Sequence, residues 1–487
     1  MLTDIILYVR SLYINNEWNL VSQSFQLAME FIRSQRGGRL LAFNGYLYRI
    51  NKTLRETTWW RCVKCGTNMR LVNNQVPDGE EFPNHGHLPD PSEIEVKRRK
   101  EAAKQEAIEN SLRPMKRRYS DLLHADDDDE NTTSKLPCFR NIRSTLYRHR
   151  ASILPNLPAN RGVLHLDGVW TQTLNGRPFV LAQDGGDDKI IIFATTNNIS
   201  LLCRCSTILM DGTFKSSPRL FAQLYTIHGR IYETTLRLAY CLLPAKDEHT
   251  YERVFRLLQI AATQMGLQLQ PQTIQIDFEM ASFNAIRTCF PMCRLRGCLF
   301  HYAQAIWRKI QDLGLVVRYR DDPAFNRLVR RCFGLPFIPP NYIDEVWMEA
   351  LEEVVNDDVV DNFKDYITQT WVDNIVARFP NELWTHADNI GIHLPRTNNS
   401  LESWHGLLNR KLTAAHPNVF RIVQLLQEEQ KDTEQLVRLL ETGNTADPQR
   451  RKHLRITQKL EVLEGRFERQ EITAYHFAGA AGALLNT

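Results

Sequence analysis

The chain has 487 residues, of which 43% are hydrophobic and 24% are charged, a globular composition with room for two or three domains. The formal net charge of +4 excludes a polycationic protein, so any surface for nucleic acid has to come from local clusters of Lys and Arg. No stretch approaches the roughly 20 apolar residues that cross a bilayer, and no signal peptide is recognisable at the start. We therefore expect a soluble intracellular protein without a membrane partner, whose cysteines are reduced or bound to metal.

The first ninety residues are predicted to contain two different structures. Residues 1–37 carry apolar side chains, among them Phe31 and Ile32, at the spacing of an amphipathic helix, and a helical segment is expected there. Residues 38–90 combine aromatic side chains and turn residues with few aliphatic ones. Such a composition is typical of a small domain that obtains much of its folding free energy from a bound metal.

Residues 91–135 are predicted to be a charged linker. They contain the basic groups KRRK (97–100) and KRR (116–118) and an acidic run over 126–130, with few large apolar residues. Blocks of like charge with little apolar surface favour a solvated segment, helical in part. The two basic groups also resemble a bipartite nuclear import signal, which would direct the protein to the nucleus.

From residue 136 onwards the sequence is continuously globular. Over 136–312, short apolar runs such as STILMDGTF (206–214) and TIQIDFE (273–279) alternate with helical patterns. This alternation predicts an α/β (α+β) domain, in which helices pack on a mixed sheet. The rest of the chain, up to about residue 469, is predicted to be almost entirely helical.

Two cysteines and two histidines in the aromatic-rich segment have the spacing of a metal site. Cys62 and Cys65 are separated by two residues, which lets both thiolates reach one tetrahedral zinc ion. His85 and His87 follow a polar stretch that can fold back onto that ion. The alternative is that two cysteines and two surface histidines share the segment by chance.

Three acidic residues are candidates for a second metal site. Asp211 and Asp277 each follow an apolar strand pattern at its end, and Glu402 lies at the start of a helix that residues 398–400 can cap. Carboxylates are the ligands that Mg²⁺ and Mn²⁺ prefer, and two such ions about 4 Å apart can catalyse in-line displacement at a phosphate. Taken singly, each acid is better explained as a helix cap or an exposed turn residue.

The segment with the four zinc-ligand candidates resembles the FLYWCH zinc finger. The resemblance rests on FNGYLYRI (43–50), TWWRCVKC (58–65) and NHGHLP (84–89), although Cys65 lies earlier than the second cysteine of the usual pattern. It implies a structural zinc ion held by Cys62, Cys65, His85 and His87. Binding of DNA is the implied role of such a finger, with binding of a partner protein as the alternative.

Four segments of the larger part resemble, in the same order, the blocks of Mutator-like element (MULE) transposases. They are ILMDGTFKSSP (208–218), IQIDFE (274–279), RGCLFHYAQAIWRKI (296–310) and TNNSLESWHGLLN (397–409). The resemblance implies an RNase H-like catalytic domain in which Asp211, Asp277 and Glu402 bind two Mg²⁺ or Mn²⁺ ions.

The same resemblance implies roles for further residues near these acids. The family carries a C-x-x-H word, matched here by Cys298 and His301, which either belongs to a metal site or positions active-site groups. Glu279 and His405 flank the acids, and each either orients a metal ligand or DNA phosphate or has a structural role.

The MULE resemblance also implies a domain order and a function. The catalytic core would begin over 136–312, be interrupted by a helical insertion over 313–396, and be completed by a helix over 397–412, followed by a helical region over 413–487. The implied activity is that of a DDE-type DNA transposase, which cleaves double-stranded DNA at element ends and joins it to target DNA, as a homo-oligomer. The alternatives are a domesticated transposase that regulates without catalysis and a related RNase H-like nuclease.

Overall fold

The structure is a computed structural model. It describes the residues 29–34, 37–110, 113–123, 130–231, 234–354, 357–391, 397–412, 415–443 and 451–485. The chain divides into two compact units, Met1–Pro155 and Asn156–Thr487. Most of the predicted N-terminal helical segment lies outside the described residues.

The first unit contains a five-stranded antiparallel sheet in which each strand pairs with the next along the chain. Asn44 and Gly45 link the second strand to the third, both with positive φ (49° and 78°), as a two-residue hairpin turn requires. One face of the sheet forms a small core that includes Tyr48, Trp60 and Cys62. The strands are β1 (Glu30–Arg33), β2 (Arg39–Phe43), β3 (Tyr46–Leu54), β4 (Thr57–Cys62) and β5 (Asn68–Val72).

The helical prediction for residues 1–37 is wrong over Glu30–Arg33. These residues form β1, which pairs antiparallel with β2. The Phe31 ring packs against Trp60 at a centroid distance of 5.7 Å, and Ile32 is buried. Pairing with an existing strand and burial against the sheet outweigh a local helical preference, which is a weak determinant by itself.

The prediction of a solvated linker over 91–135 is also wrong, because this segment folds into packed helices. Ala103, Ala107 and Met115 form an apolar core with Ile142 and Leu146. The residues 136–151, which were assigned to the catalytic core, therefore belong to the first unit. The helices are α1 (Pro91–Glu109), α2 (Met115–Leu123), α3 (Glu130–Lys135) and α4 (Phe139–Ala151).

One residue of the predicted import signal is part of this core. The Arg118 side chain is buried and donates hydrogen bonds to the backbone carbonyl oxygens of Glu106, Asn110 and Arg113. Arg118 thereby connects α2 to the C-terminal end of α1.

The second unit is built on a mixed seven-stranded sheet with the order β12-β11-β8-β9-β10-β7-β6. β8 pairs antiparallel with β9 on one side and parallel with β11 on the other, and β11 pairs parallel with β12. The other neighbouring pairs are antiparallel. The strands are β6 (Val180–Asp184), β7 (Ile190–Phe193), β8 (Thr207–Thr213), β9 (Gln223–Ile231), β10 (Thr234–Leu243), β11 (Thr273–Ile276) and β12 (Arg294–Gly297).

Helices cover both faces of this sheet, so the prediction of a mixed sheet with flanking helices is confirmed. Ile208 and Met210 of β8 point into the main apolar cluster with the four helices that follow β7, β10, β11 and β12. Those helices are α5 (Thr196–Arg204), α6 (Glu248–Gln264), α7 (Met280–Cys289) and α8 (Leu299–Asp312). The opposite face is covered in part by α14 (Asn399–Leu412), whose Trp404 ring lies 5.6 Å from His228 of β9 and 5.8 Å from Tyr240 of β10.

Between α8 and α14 the chain forms a helical region that packs against the C-terminal helix. A Cβ atom at Gly334 would lie 1.8 Å from the carbonyl oxygen of Ala478, so glycine permits this close contact. None of the described helices is long and apolar enough to cross a membrane. The remaining helices are α9 (Val316–Asp321), α10 (Pro323–Gly334), α11 (Ile343–Glu352), α12 (Asp358–Ile367), α13 (Asn381–Trp384), α15 (Val419–Glu441), α16 (Arg451–Glu468) and α17 (Ala474–Leu485).

Candidate metal centre and catalytic site

The four predicted zinc ligands converge at one end of the N-terminal sheet. One ligand atom from each of Cys62, Cys65, His85 and His87 lies within 4.8 Å of all the others. Sγ of Cys62 is 3.3 Å from Nε2 of His87, and Sγ of Cys65 is 3.2 Å from Nδ1 of His85. Two thiolates and two imidazoles around one point are a donor set that fits a tetrahedral structural zinc ion.

The remaining nitrogen of each histidine is bound to the protein. Nε2 of His85 is 2.9 Å from the hydroxyl of the buried Tyr48, and Nδ1 of His87 is 2.8 Å from the carbonyl oxygen of Leu88. The ring of Tyr46 also stacks on His85, with 3.9 Å between the centroids. Such contacts fix the ring orientation and the tautomer, so that His85 offers Nδ1 and His87 offers Nε2 to the metal.

The Cys65 thiol is prepared for metal binding. A hydrogen bond with the Thr67 side chain is the largest of the contacts that lower the pKa of Cys65 to about 5, and a contact with His85 acts in the same direction. The thiolate is the form of cysteine that binds metal.

Asp211 lies within β8, on the face of the sheet that α14 covers. Its carboxylate is 6% exposed, accepts a hydrogen bond from the backbone N–H of Gly212 at 2.7 Å, and lies 3.3 Å from Nδ1 of His405. The Thr226 hydroxyl donates to the backbone oxygen of Asp211, and Nε2 of His405 lies 3.2 Å from the same hydroxyl oxygen. His405 therefore connects α14 to the first acid and to β9.

Asp277 directly follows β11, the parallel neighbour of β8. Gln275 pairs with Leu209, and the same register continued by two residues places Asp277 beside Asp211 on the same face of the sheet. Burial and then the negative charges of Asp211 and Glu279 raise the pKa of Asp277 to about 6. The charge of Asp211 thus disfavours ionisation of Asp277, an effect that a bound cation would relieve.

Glu402 lies in the first turn of α14 and is held by a histidine from α8. Its Oε1 atom is 3.2 Å from Nε2 of His301. Burial by itself lowers the pKa of His301, but the neighbouring Cys298 thiol and Glu402 carboxylate, with the charge of Asp211, outweigh this and raise it to about 10. A protonated His301 is therefore a cationic partner for Glu402.

Asn398 connects the beginning of α14 to the sheet. Its side chain is fully buried, accepts a hydrogen bond from Gln275 at 3.0 Å, and donates to the backbone oxygen of Met210 at 3.4 Å. Its backbone N–H donates to Sγ of the buried Cys298 at 3.1 Å. The side chain of Asn398 thus binds β8 and β11. Its carbonyl oxygen accepts a hydrogen bond from the backbone N–H of Glu402 at 2.9 Å.

The predicted acidic site is more open than the zinc-ligand cluster. Among the described residues, one group of three or more Cys, His, Asp or Glu side chains has all its ligand atoms within 4.8 Å of one another. This group consists of the four predicted zinc ligands and does not include the acids. Asp211 and Glu402 each contact a histidine instead, and Glu279 lies beside Tyr251, with burial as the main cause that raises its pKa. We use the name acidic site for Asp211, Asp277 and Glu402.

Sequence reasoning missed Lys246, whose charge counteracts the raised pKa values of Asp277 and Glu279. Lys246 follows β10, and β10 ends at the same edge of the sheet as β8 because both pair antiparallel with β9. The word LPAKDEH (243–249) at the end of an apolar strand was the available signal, but the order of the strands is needed to interpret it.

Comparison with protein families identifies both parts of the chain. Residues 207–305 match the MULE transposase domain, and residues 31–69 match the FLYWCH zinc finger domain. The first match contains Asp211, Asp277 and the C-x-x-H word, whereas Glu402 lies outside it. The second contains both cysteines but neither of the two histidines.

These two matches confirm the resemblances that the sequence words indicated. The chain carries a MULE transposase domain behind a FLYWCH zinc finger, an architecture that supports a transposase-related protein that binds DNA. A comparison with curated proteins returned no match.

Proposed function

We propose that this protein is a DDE-type DNA transposase that cleaves and joins DNA strands with Mg²⁺ or Mn²⁺ ions held by Asp211, Asp277 and Glu402. The observation that supports the proposal is that Asp211 lies on β8 and Asp277 directly follows its parallel neighbour β11, while Glu402 contacts His301, whose charge interacts with both aspartates. Single carboxylates on turns are common in proteins, but two at the ends of neighbouring parallel strands, with a third linked to them through His301, favour a shared role.

The order of the strands supports an RNase H-like fold for the proposed catalytic domain. Three consecutive antiparallel strands, β8, β9 and β10, are followed by two parallel strands, β11 and β12, on the other side of β8. Asp211 and Asp277 accordingly lie where β8 meets its parallel neighbour β11. Reversal of strand order at such a point opens a crevice for ligands.

The chemistry of the acidic site fits hard divalent cations. Its potential donors are carboxylate oxygens, which Mg²⁺ and Mn²⁺ prefer, and burial together with the negative charges of Asp211 and Glu279 raises the pKa of Asp277, which favours a bound cation. Two bound ions would supply activation of the attacking oxygen and stabilisation of the leaving oxygen. Water as the attacking group gives a nick, and a DNA 3′-hydroxyl in the same position gives strand joining.

Cys298, His301 and His405 are proposed as positioning residues. His301 and His405 contact the carboxylates of Glu402 and Asp211, and the Cys298 thiol accepts the N–H that begins α14. A positioning role accounts for both members of the C-x-x-H word without further metal ligands. Among the described residues, neither belongs to a close group of ligand atoms.

We propose that the zinc finger binds double-stranded DNA and that the protein acts as a homo-oligomer in the nucleus. The exposed Arg49 of β3 is paired with the exposed Arg61 of β4. Trp59 of β4 is paired with Lys52 of β3 on one side and with Arg70 of β5 on the other. A row of cations with an aromatic side chain is suited to phosphates and DNA grooves. An oligomer would bring two element ends together, which sedimentation of the DNA complex tests.

Three substitutions that preserve side-chain size test the proposed catalysis. Asp211→Asn, Asp277→Asn and Glu402→Gln should each nearly abolish Mg²⁺- or Mn²⁺-dependent nicking of supercoiled DNA while DNA binding persists. Because residues of one catalytic unit are not additive, a double variant should be scarcely worse than a single one. Asp184→Asn is the matched control, because Asp184 lies on β6 of the same sheet and pairs with Arg253 instead.

The results separate the proposed function from its alternatives. If the wild-type chain binds DNA and does not nick it, the protein is a regulator rather than an active transposase. If it nicks DNA and never joins strands, a nuclease is the better description. Nicking that survives both Asp211→Asn and Asp277→Asn would show that the proposed site is wrong.

A further inference from the structure

An exposed aromatic ring and a lysine form a pair beside the acidic site. Nζ of Lys246 lies 3.4 Å from the centroid of the Phe214 ring, a cation–π contact. Phe214 is 46% exposed although it is a large apolar residue, and Lys246 is exposed as well. Neither the proposed metal chemistry nor the packing of the sheet uses these two side chains.

Both residues lie at the edge of the sheet that carries the acids. Phe214 follows β8 three residues after Asp211, and Lys246 follows β10, whose last residue Leu243 pairs with Gln223 at the start of β9. Lys246 is also within electrostatic range of two acids, since its charge lowers the pKa of Asp277 and of Glu279. The pair therefore joins an exposed aromatic surface to the acidic site.

We infer that Phe214 and Lys246 bind one strand of the DNA substrate next to the reacting phosphate, with an unpaired base stacked on Phe214 and a phosphate on Lys246. The inference rests on the proposed function, which places the reacting phosphate at the acidic site. It adds a prediction about the substrate, because a phenyl ring can stack on a base only if that base has left the duplex stack.

Phe214 and Lys246 exchange each other for a base and a phosphate when DNA binds. In the free protein the ammonium group covers the ring, and cation–π contacts at exposed sites are weak. Stacking of a base on an exposed aromatic ring is generally stronger, and the released ammonium group gains a phosphate oxygen in place of the ring. Nucleic acid offers both groups at the required spacing, because every nucleotide carries a base and a phosphate.

Neighbouring charges favour a polyanion at this position. The exposed Lys215 and Arg219 belong to the loop that begins at Phe214, and Lys215 is held in place by the backbone N–H of His416, which donates to its carbonyl oxygen at 3.0 Å. A DNA backbone that runs from this loop past Lys246 meets cationic side chains before it reaches the acidic site. The acids themselves would repel it unless divalent ions are bound.

Base stacking and phosphate binding can be measured separately from cleavage. The probe is a single-stranded DNA of about 20 nucleotides with one 2-aminopurine, whose fluorescence falls when it stacks, and a closed hairpin duplex is the comparison. The full-length chain binds the probe in Ca²⁺, which takes oxygen ligands as Mg²⁺ does. Nicking of supercoiled DNA in Mg²⁺ is measured in parallel with each protein.

Phe214→Leu should weaken single-strand binding roughly ten-fold and remove most of the 2-aminopurine quenching, because stacking contributes about that much per base. Phe214→Tyr, which keeps the ring, should behave as the wild type does. Binding of the hairpin duplex should be the same for all three proteins. Equal thermal unfolding midpoints would show that the exposed substitution leaves the fold intact.

Lys246→Gln should lower the slope of log affinity against log salt by about 0.7 on the single strand, as expected for the loss of one phosphate contact. Lys309→Gln is the matched control, since Nζ of Lys309 on α8 lies 5.2 Å from the centroid of the Tyr366 ring on α12, in another lysine–aromatic pair. The control should leave both the slope and the quenching unchanged.

Unchanged quenching and affinity in Phe214→Leu, or equal salt slopes for Lys246→Gln and Lys309→Gln, would overturn the inference. If the wild type nicks DNA and these variants show no binding defect, the proposed function stands and the strand contact is wrong. If the wild type never nicks DNA but the variants do lose binding, the contact stands and the catalytic proposal fails.

Discussion

Nε2 of His301 lies 3.2 Å from Oε1 of Glu402, so a residue in the first turn of α8 holds a carboxylate that comes 101 positions later in the chain. The whole helical region between α8 and α14 separates the two residues in sequence. The C-x-x-H word and the third acid are thus two parts of one local structure. This contact makes the position of Glu402 depend on a residue outside its own helix.

His301→Ala should reduce metal-dependent nicking by about 10- to 100-fold, the usual effect of removing a group that orients a metal ligand. His301→Gln should retain more activity, because its amide can still donate to Glu402. The measurement is nicking rate against Mg²⁺ concentration, in which His301→Ala should require more metal for half-maximal rate while DNA binding is unaffected. Equal metal requirements in the wild type and both variants would refute a positioning role.

Asn398→Ala should lower the free energy of unfolding by about 1–3 kcal/mol, because the buried amide of Gln275 loses its acceptor. The activity loss should exceed what reduced stability explains, since α14 loses its connection to β8 and β11. The double variant Asn398→Leu with Gln275→Met removes both polar groups and should recover part of the stability. Urea unfolding of the full-length chain measures these free energies. If the double variant loses more stability than the two single variants lose together, the hydrogen bond between Asn398 and Gln275 would be contradicted.

Gly212→Ala should destabilise the second unit by about 1–3 kcal/mol, since forcing an extra methyl group into a packed interior strains its neighbours. The new Cβ atom would lie 2.4 Å from Oε1 of Gln223, which is fully buried and donates from Nε2 to the Tyr251 hydroxyl at 2.5 Å. Combination with Gln223→Ser should restore stability by removing the clash. A Gly212→Ala variant with the wild-type unfolding midpoint would show that Gln223 can move away freely.

Cys62→Ser should abolish the bound zinc, which we expect at one ion per full-length chain by elemental analysis, and Cys65→Ser, His85→Ala and His87→Ala should do the same. Cys138→Ser is the matched control, because Cys138 is also a free thiol of the first unit but lies outside the ligand cluster. Zinc content that is unchanged in Cys65→Ser would exclude this residue as a ligand. The second unit should stay folded in every variant, because the chain divides into separate compact units.

Tyr48→Phe should retain one zinc ion but release it to a chelator about ten-fold more readily, because His85 loses the partner of its outer nitrogen. Competition between the full-length protein and a fluorescent zinc chelator measures the difference. An affinity equal to that of the wild type would mean that stacking on Tyr46 alone fixes the His85 ring.

The sequence alone predicted the Cys/His cluster and the strands that carry the proposed acidic site. The CxxC and HxH spacings predicted all four members of the Cys/His cluster, because thiolates and imidazoles close together in the chain need little tertiary information to approach one point. The apolar runs before Asp211 and Asp277 identified β8 and β11, since a continuous run of buried side chains is typical of a central parallel strand. Local patterns were sufficient wherever the determining contacts were local.

Only the tertiary structure decided how these residues are combined. The helical spacing of Phe31 and Ile32 did not reveal β1, and the charged residues of 91–135 did not reveal a packed helical core, because strand pairing and burial against distant residues override local preference. The contacts of Asn398 with Gln275 and of Lys246 with Phe214 likewise join residues on different elements. Such contacts depend on strand order, register and helix packing, which arise from the summed burial of the whole unit and leave no signature in the residues that make them.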